Sequence, residues 1–176
     1  ADAATAHGLR WAALRYFNAS GADPEGDLGE CHDPETHLIP VALEAAAGLR
    51  EALPLYGTDY PTRDGTCVRD YIHVSDLATG HVLALEALLA GRSVGPRNLA
   101  TGNGVTNREL LAAVERVVGR RVPVTNAPRR PGDPPELVAD ASRFRREFGW
   151  QPRYSDLDTI VSTAWAWLRR WRGLAS

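Results

Sequence analysis

The sequence predicts an α/β fold, in which short strands and amphipathic helices alternate through glycine-, proline- and asparagine-rich turns. Short runs such as Leu53 to Tyr56 and Val68 to Val74 are bounded by turn residues on both sides, as strands are. They alternate with longer stretches, Thr36 to Gly48, Asp76 to Leu89, Thr106 to Val118 and Leu157 to Trp171, whose apolar residues recur at helical spacing. Such alternation gives a sheet covered by helices. At 176 residues the chain has one domain's length and can bury a substantial core.

Taken in order, Ala1 to His7 is a good helix former with no N-cap or capping box, and it reads as the tail of a helix begun elsewhere. Gly8 punctuates it, and Leu9 to Phe17 follows as a strand. Asn18 to Asp27 reads as a polar loop at the carboxyl end of that strand, the place where open α/β sheets bind ligands. Asn18 is therefore a candidate site residue, and equally a plain turn-former. In the Thr36 to Gly48 helix, Leu38, Ile39, Val41, Ala42 and Ala45 give an apolar face, and Pro40 is tolerated because it lies in the first turn. Ser75 is expected to cap the helix from Asp76 to Leu89, with Asp76 suited to its positive end.

Arg97 to Ala100 reads as a strand meeting Gly102-Asn103-Gly104, and Thr106-Asn107-Arg108-Glu109 has the form of a capping box. Gly-x-Gly between a strand and a helix suggests a dinucleotide loop, but Asn107 stands where the third glycine of that fingerprint belongs. Val122 to Thr125 and Leu137 to Ala139 read as extended, on either side of the stiff basic loop Pro128 to Pro135. Ser142 to Phe148 is a short helix ended by Gly149. The last helix places Ile160, Ala164, Trp167, Leu168 and Trp171 on one face, where the tryptophans read as packing residues.

Composition narrows the function. A net charge of −2 with 24% charged residues, and no basic stripe interleaved with aromatics, argues against a nucleic-acid partner. The apolar runs are too short to span a bilayer and no signal peptide is visible, so no membrane role and a cytoplasmic location are expected. Cys31 and Cys67 have neither a Cys-x-x-Cys spacing nor a matching histidine motif, so two free thiols and no metal site are expected. All 20 basic residues are arginine, so no reaction in this chain can use a lysine base or Schiff base.

The residues with the strongest chemical character are Arg69, beside Asp70 and a tyrosine, and the Arg129-Arg130 pair followed by Asp133. Guanidinium groups converging from distant loops hold pyrophosphates, because each donates a forked pair of charge-assisted hydrogen bonds. An arginine chosen at random is more often one half of a solvated ion pair of little value. The glycine- and proline-punctuated setting of these arginines, each near an aspartate able to orient it or bind a ribose hydroxyl, points to a phosphorylated small molecule.

Five segments in register carry a resemblance. Leu14-Arg15-Tyr16-Phe17-Asn18, His37-Leu38-Ile39-Pro40, Tyr56-Gly57-Thr58-Asp59-Tyr60-Pro61-Thr62, the run from Asp64 to Val74 and Arg129-Arg130-Pro131-Gly132-Asp133 closely resemble the C-terminal half of the UDP-glucose (UDP-galactose) 4-epimerases. These are extended short-chain dehydrogenase/reductases. The resemblance covers almost the whole chain. It implies late strands of a Rossmann-type nucleotide domain plus a small mixed α/β substrate domain, with residues 1–176 forming a single substrate-binding fragment.

The resemblance also implies roles. Tyr16 and Phe17 resemble the residues beside the nicotinamide of a bound NAD. Asn18 resembles a pyrophosphate contact, and His37 with Leu38 the helix start over the substrate. Leu55 and Tyr56 resemble the uracil-binding strand, Arg69 and Arg130 the pyrophosphate clamps, and Asp133 the ribose partner. Leu137 stands where some family members carry a bulky tyrosine facing the sugar, which suggests room for an N-acetylated sugar. In that family NAD oxidises the sugar C4 hydroxyl, the keto-sugar rotates, and the hydride returns to the other face.

The family's glycine-rich NAD loop and its Ser plus Tyr-x-x-x-Lys set are expected before Ala1, and the absence of lysine requires this for the Lys. No catalytic residue is therefore expected in this chain, which should not turn over alone. A homodimer is expected when the protein is complete, and an N-terminal half on another chain is one way of completing it. The alternatives are another nucleotide-sugar dehydrogenase/reductase, such as a dehydratase or decarboxylase, and a non-catalytic UDP-sugar-binding fragment.

Overall fold

The computed structural model describes residues 1–174. Its helices are α1 (Asp2–His7), α2 (Leu38–Ala46), α3 (Val74–Leu89), α4 (Asn107–Val118), α5 (Ser142–Phe148) and α6 (Leu157–Arg172). Its strands are β1 (Ala12–Arg15), β2 (Asn18–Ser20), β3 (Leu53–Tyr56), β4 (Val68–His73), β5 (Gly95–Asn98), β6 (Gly104–Thr106), β7 (Val124–Ala127) and β8 (Glu136–Leu137). The mixed α/β architecture is as the sequence predicts.

The strands form three small sheets. β1 pairs with β5 in parallel, and β3 pairs with β7 in parallel. β4 is the centre of the third, parallel to β2 and β8 and antiparallel to β6. Every residue of β4 is buried, which an Arg-Asp-Tyr strand tolerates only when its polar side chains find partners on both faces. Side chains alternate across a strand, so Arg69 and Asp70 leave β4 in opposite directions.

Two apolar clusters flank this centre. One joins α2, β3, α4 and α6 through Leu43, Leu53, Leu110, Val114, Ile160 and Val161, with Tyr71 from β4. The other joins α3, α5 and the β5 side through Ile72, Leu77, Leu99, Phe144 and Trp150. Helix α4 opens with the expected capping box: Glu109 N–H donates to Thr106 Oγ1 at 3.1 Å, and Thr106 N–H donates to Glu109 Oε2 at 2.9 Å. Gly149 ends α5 in a left-handed conformation, as expected.

Four local expectations are corrected. Asn18 to Ser20 is a strand, because its backbone finds the open parallel edge of β4 at Tyr71 to His73. Ser75 does not cap α3; His73 does, its imidazole Nδ1 accepting from Ser75 N–H at 3.1 Å. Asp76 serves more than the helix dipole: it is buried, accepting from Arg153 N–H at 2.7 Å and Tyr154 N–H at 2.9 Å. Trp171 lies largely exposed at the end of α6, with Arg172 packed over its ring.

Candidate functional site

β3 and β7 run side by side, and the 57–60 turn and the basic 128–135 loop leave the same end of the pair. The Gly57 N–H donates to Ala127 O at 2.9 Å, extending the pairing one residue beyond Tyr56. Gly57 has φ 74°, and a Cβ there would stand 2.4 Å from the Tyr60 ring. Only glycine permits both the left-handed turn and that close approach.

This turn separates the two arginines of the basic loop. Arg129 folds back, donating through Nε to Asp59 Oδ1 at 2.7 Å and lying 4.3 Å over the Tyr60 ring. That hydrogen bond is the main reason the Asp59 carboxyl titrates below its ordinary range. Arg130 turns the other way, over the Tyr56 ring at 5.0 Å and against Asp133 Oδ2 at 3.0 Å.

Arg69 reaches the same point from β4. Its Nη1 donates to Val68 O at 2.8 Å and Pro134 O at 3.0 Å, and its Nη2 is bonded to Asp133 Oδ1. The Asp133 carboxylate thus sits between two guanidinium groups. Asp70, on the opposite face of β4, does not orient Arg69. It accepts from Thr101 N–H at 3.1 Å and Gly102 N–H at 2.9 Å, fixing the turn before β6. The Gly-x-Gly of this turn is accordingly a structural corner bonded to a buried carboxylate.

Arg69, Arg130 and Asp133 line a cleft of about 480 Å³, within the range of small-molecule sites. Of the residues singled out in the sequence, Asn18, His37 and Leu38 line it together with Leu55 and Tyr56 of β3 and with Arg69, Arg130 and Asp133. Asn18 donates its Nδ2 to Asp70 O at 2.9 Å, which holds the side chain at the junction of β2 and β4. Leu137 lies on β8 in register with Arg69, outside the cleft lining. Tyr71, Arg50, Thr36, Cys67 and Asn107 also line the cleft and were not singled out. Tyr71 has the one legible signal among them, a phenol beside Arg69-Asp70; burial pushes its pKa up. Cys67 is buried with its thiol 3.9 Å from Asp133 Oδ2, while Cys31 is exposed, and both are free.

Asn18, His37 and Leu38 also border a second cleft of about 360 Å³, with Phe17, Glu30, His32 and Glu35 on its rim. Tyr16 and Phe17, each a little under half exposed, line a third depression of about 360 Å³ beside Asn98 and Val138 to Asp140, and the Tyr16 ring stands 5.9 Å edge-on to His81. Outward-facing aromatic surface at the end of β1 suits a flat heteroaromatic ring such as a nicotinamide.

The family model described as GDP-mannose 4,6 dehydratase matches residues 2–163. The chain belongs to this family. Within it, the chain is 51% identical over 162 residues to the UDP-glucose 4-epimerase of Lacticaseibacillus casei, covering 92% of this chain and 49% of that protein. The crystal structure of UDP-glucose 4-epimerase from Brucella ovis in complex with NAD superposes with a TM-score of 0.89 at 56% identity, covering 93% of this chain and 50% of that one. The structure of the Bifidobacterium longum UDP-glucose 4-epimerase in complex with NAD+ and UDP superposes with a TM-score of 0.90 at 36% identity, covering 99% and 52%. The chain spans about half the length of these relatives and corresponds to their C-terminal half. The resemblance drawn from the five sequence segments holds throughout the matched region. Among the described residues, no helix is long and apolar enough to cross a membrane.

Proposed function

We propose that this chain is the UDP-sugar-binding half of a UDP-glucose 4-epimerase. The convergence of Leu55, Tyr56, Arg69, Arg130 and Asp133 on one cleft carries this reading. Leu55 and Tyr56 present an apolar strand and an aromatic face to the uracil. Arg69 and Arg130 meet the pyrophosphate, whose charge takes over the pairing that Asp133 supplies between them, and Asp133 turns to a ribose hydroxyl. Asn18 closes the pyrophosphate end, and His37 with Leu38 covers the sugar.

When bound, NAD would supply reversible hydride transfer at the sugar C4. Tyr16 and Phe17 would stand beside its nicotinamide. The rest of the cofactor and the proton-transferring residues belong to an N-terminal half that the matched relatives have in addition. Two features of the fold support that division. β1 pairs only with β5 among the described residues, leaving an edge on a parallel sheet of a kind normally buried on both faces. Val82, Leu85 and Leu89 also line an exposed apolar face of α3. The reading extends to a cytoplasmic protein, which two free thiols suit, and to a homodimer when both halves are present.

Two measurements test it. Calorimetric titration of UDP onto the folded chain should show binding at one site, and its absence overturns the assignment of the cleft. UDP-galactose should not be epimerised by the chain alone and should be epimerised once an N-terminal half is supplied. Turnover by the isolated chain overturns the placement of catalysis outside it.

A further inference from the structure

At the second cleft, the segment before α2 brings four ionisable side chains to one point. Glu30 Oε1 stands 3.1 Å from His32 Nε2 and 2.8 Å from His37 Nδ1. His37 Nδ1 is also 2.9 Å from Glu35 Oε1. The two imidazoles lie 4.8 Å apart between centroids, tilted by 54°. A single oxygen therefore faces two ring nitrogens, and one ring nitrogen faces two carboxylates.

Protons alone satisfy this arrangement poorly. A neutral imidazole carries one N–H, so His37 Nδ1 can give a good hydrogen bond to Glu30 or to Glu35, not to both. Glu30 and Glu35 thus bring two carboxylates to the one ring nitrogen, a concentration of acceptors without matching donors. The nearby arginines do not relieve it through their side chains. Arg50 and Arg172 are bonded to Glu44, and Arg50's contact to Glu35 is with the backbone carbonyl. The site is held from behind, because Trp167 Nε1 donates to Glu30 O at 3.0 Å.

We propose that Glu30, His32 and His37 form a binding site for a divalent transition-metal ion of the zinc class at the rim of the second cleft. Two imidazole nitrogens and one carboxylate are a donor set suited to zinc, cobalt and nickel rather than to magnesium or calcium. Ligands about 2.0–2.1 Å from a common ion stand roughly 3.0–3.4 Å apart when adjacent. The Glu30 distances to the two histidines approach that spacing, and the three ligand atoms all lie within 4.8 Å of one another. Glu35 Oε1 is already held by the Thr36 and His37 backbone N–H groups, each donating at 2.7 Å, which leaves Glu30 as the carboxylate ligand. An ion there ties the loop before α2 to the helix start and leaves a coordination position toward the cleft, where a sugar hydroxyl or water can enter.

Cys31, exposed beside these ligands, is the alternative zinc binder to exclude. Equilibrium dialysis of Zn2+ onto the tag-free Cys31→Ser chain, followed by elemental analysis, should find one ion per chain. His32→Ala and His37→Ala should each weaken that uptake by roughly 10–100-fold or more, the range seen even for outer partners of metal sites. Their side chains are 51% and 57% exposed, so neither change opens the core; circular dichroism checks each fold. Co2+ in place of Zn2+ should give visible d–d bands that both substitutions abolish. No stoichiometric uptake by Cys31→Ser, or undiminished uptake by the folded histidine variants, overturns the proposal. The cleft assignment above is tested separately by UDP, so failure here leaves that reading standing.

Discussion

The carboxylate of Asp133 is bonded to the guanidinium of Arg69, 64 residues earlier in the chain. Only 11% of the Arg69 side chain and 13% of the Asp133 side chain reach solvent. Breaking such a pair from one side leaves a charge that water cannot readily reach. Asp133→Ala should therefore destabilise the chain by about 3–5 kcal/mol, read as a lowered midpoint in urea. Asp59→Ala, which breaks the exposed pair with Arg129, should cost far less.

The two arginines of the basic loop are expected to behave differently toward ligand. Arg69→Ala and Arg130→Ala should each weaken UDP binding by about 1.5–3 kcal/mol, the worth of a charge-assisted hydrogen bond. That corresponds to roughly 10–150-fold in Kd. Arg129→Ala should leave the phosphate contacts in place, because its guanidinium is engaged by Asp59 and Tyr60. Calorimetry on the three variants separates them, and equal losses at all three would mean the loop acts only as a scaffold.

Much of this arrangement was legible before any coordinates. The helices declared themselves by periodicity and by caps such as Thr106 and Glu109, whose reciprocal bonds are local. The arginines stand out because guanidinium groups in glycine- and proline-punctuated loops suit a pyrophosphate. What escaped were features fixed by distant partners. Asn18 to Ser20 looks like a turn until the edge of β4 is available to pair with it. Ser75 looks like a cap until His73, one residue before the helix, proves to hold the bond. Residue type alone does not separate Arg129 from Arg130; the resemblance singles out Arg130, and the bond of Arg129 to Asp59 and its place over Tyr60 show why Arg129 does not line the cleft. The Glu30, His32 and His37 grouping was missed because its spacing matches no familiar metal motif.

Asp70 provides a third test, this time of the scaffold behind Arg69. It is 2% exposed and accepts from two backbone N–H groups and the Thr101 hydroxyl in the turn before β6. Replacing it with alanine strands those donors, each buried unsatisfied group costing about 1–3 kcal/mol. Asp70→Ala should accordingly be among the most destabilising single changes in the chain. Amide exchange at Thr101 and Gly102 should accelerate in any folded fraction, and unchanged protection there would contradict the role assigned to Asp70.

The last prediction concerns pH. His73 is fully buried, with Nδ1 accepting from Ser75 N–H and Nε2 facing the Thr163 hydroxyl at 3.1 Å. Thr163 Oγ1 can donate to Thr159 O at 3.0 Å, leaving it to accept from the imidazole Nε2–H. That bonding fixes the neutral ring, because a second proton on Nδ1 would point at the Ser75 N–H. Burial accordingly lowers the His73 pKa from 6.5, although Asp76, Asp156 and Asp23 pull it upward. Above pH 6.5 both folded and unfolded chains hold the ring neutral, and the full stability is present. As pH falls through 6.5 the unfolded chain takes up a proton that the folded chain refuses, so stability declines with a slope of at most about 1.4 kcal/mol per pH unit. The decline levels off below the folded pKa. Glu30, whose pKa is raised, contributes with the opposite sign, so the comparison must be between variants. Asparagine at position 73 can still accept from Ser75 N–H but cannot titrate. His73→Asn should be less stable at neutral pH and should lose this share of the acid limb in urea midpoints between pH 7 and pH 5. An identical acid limb in both chains would assign the pH dependence to other groups.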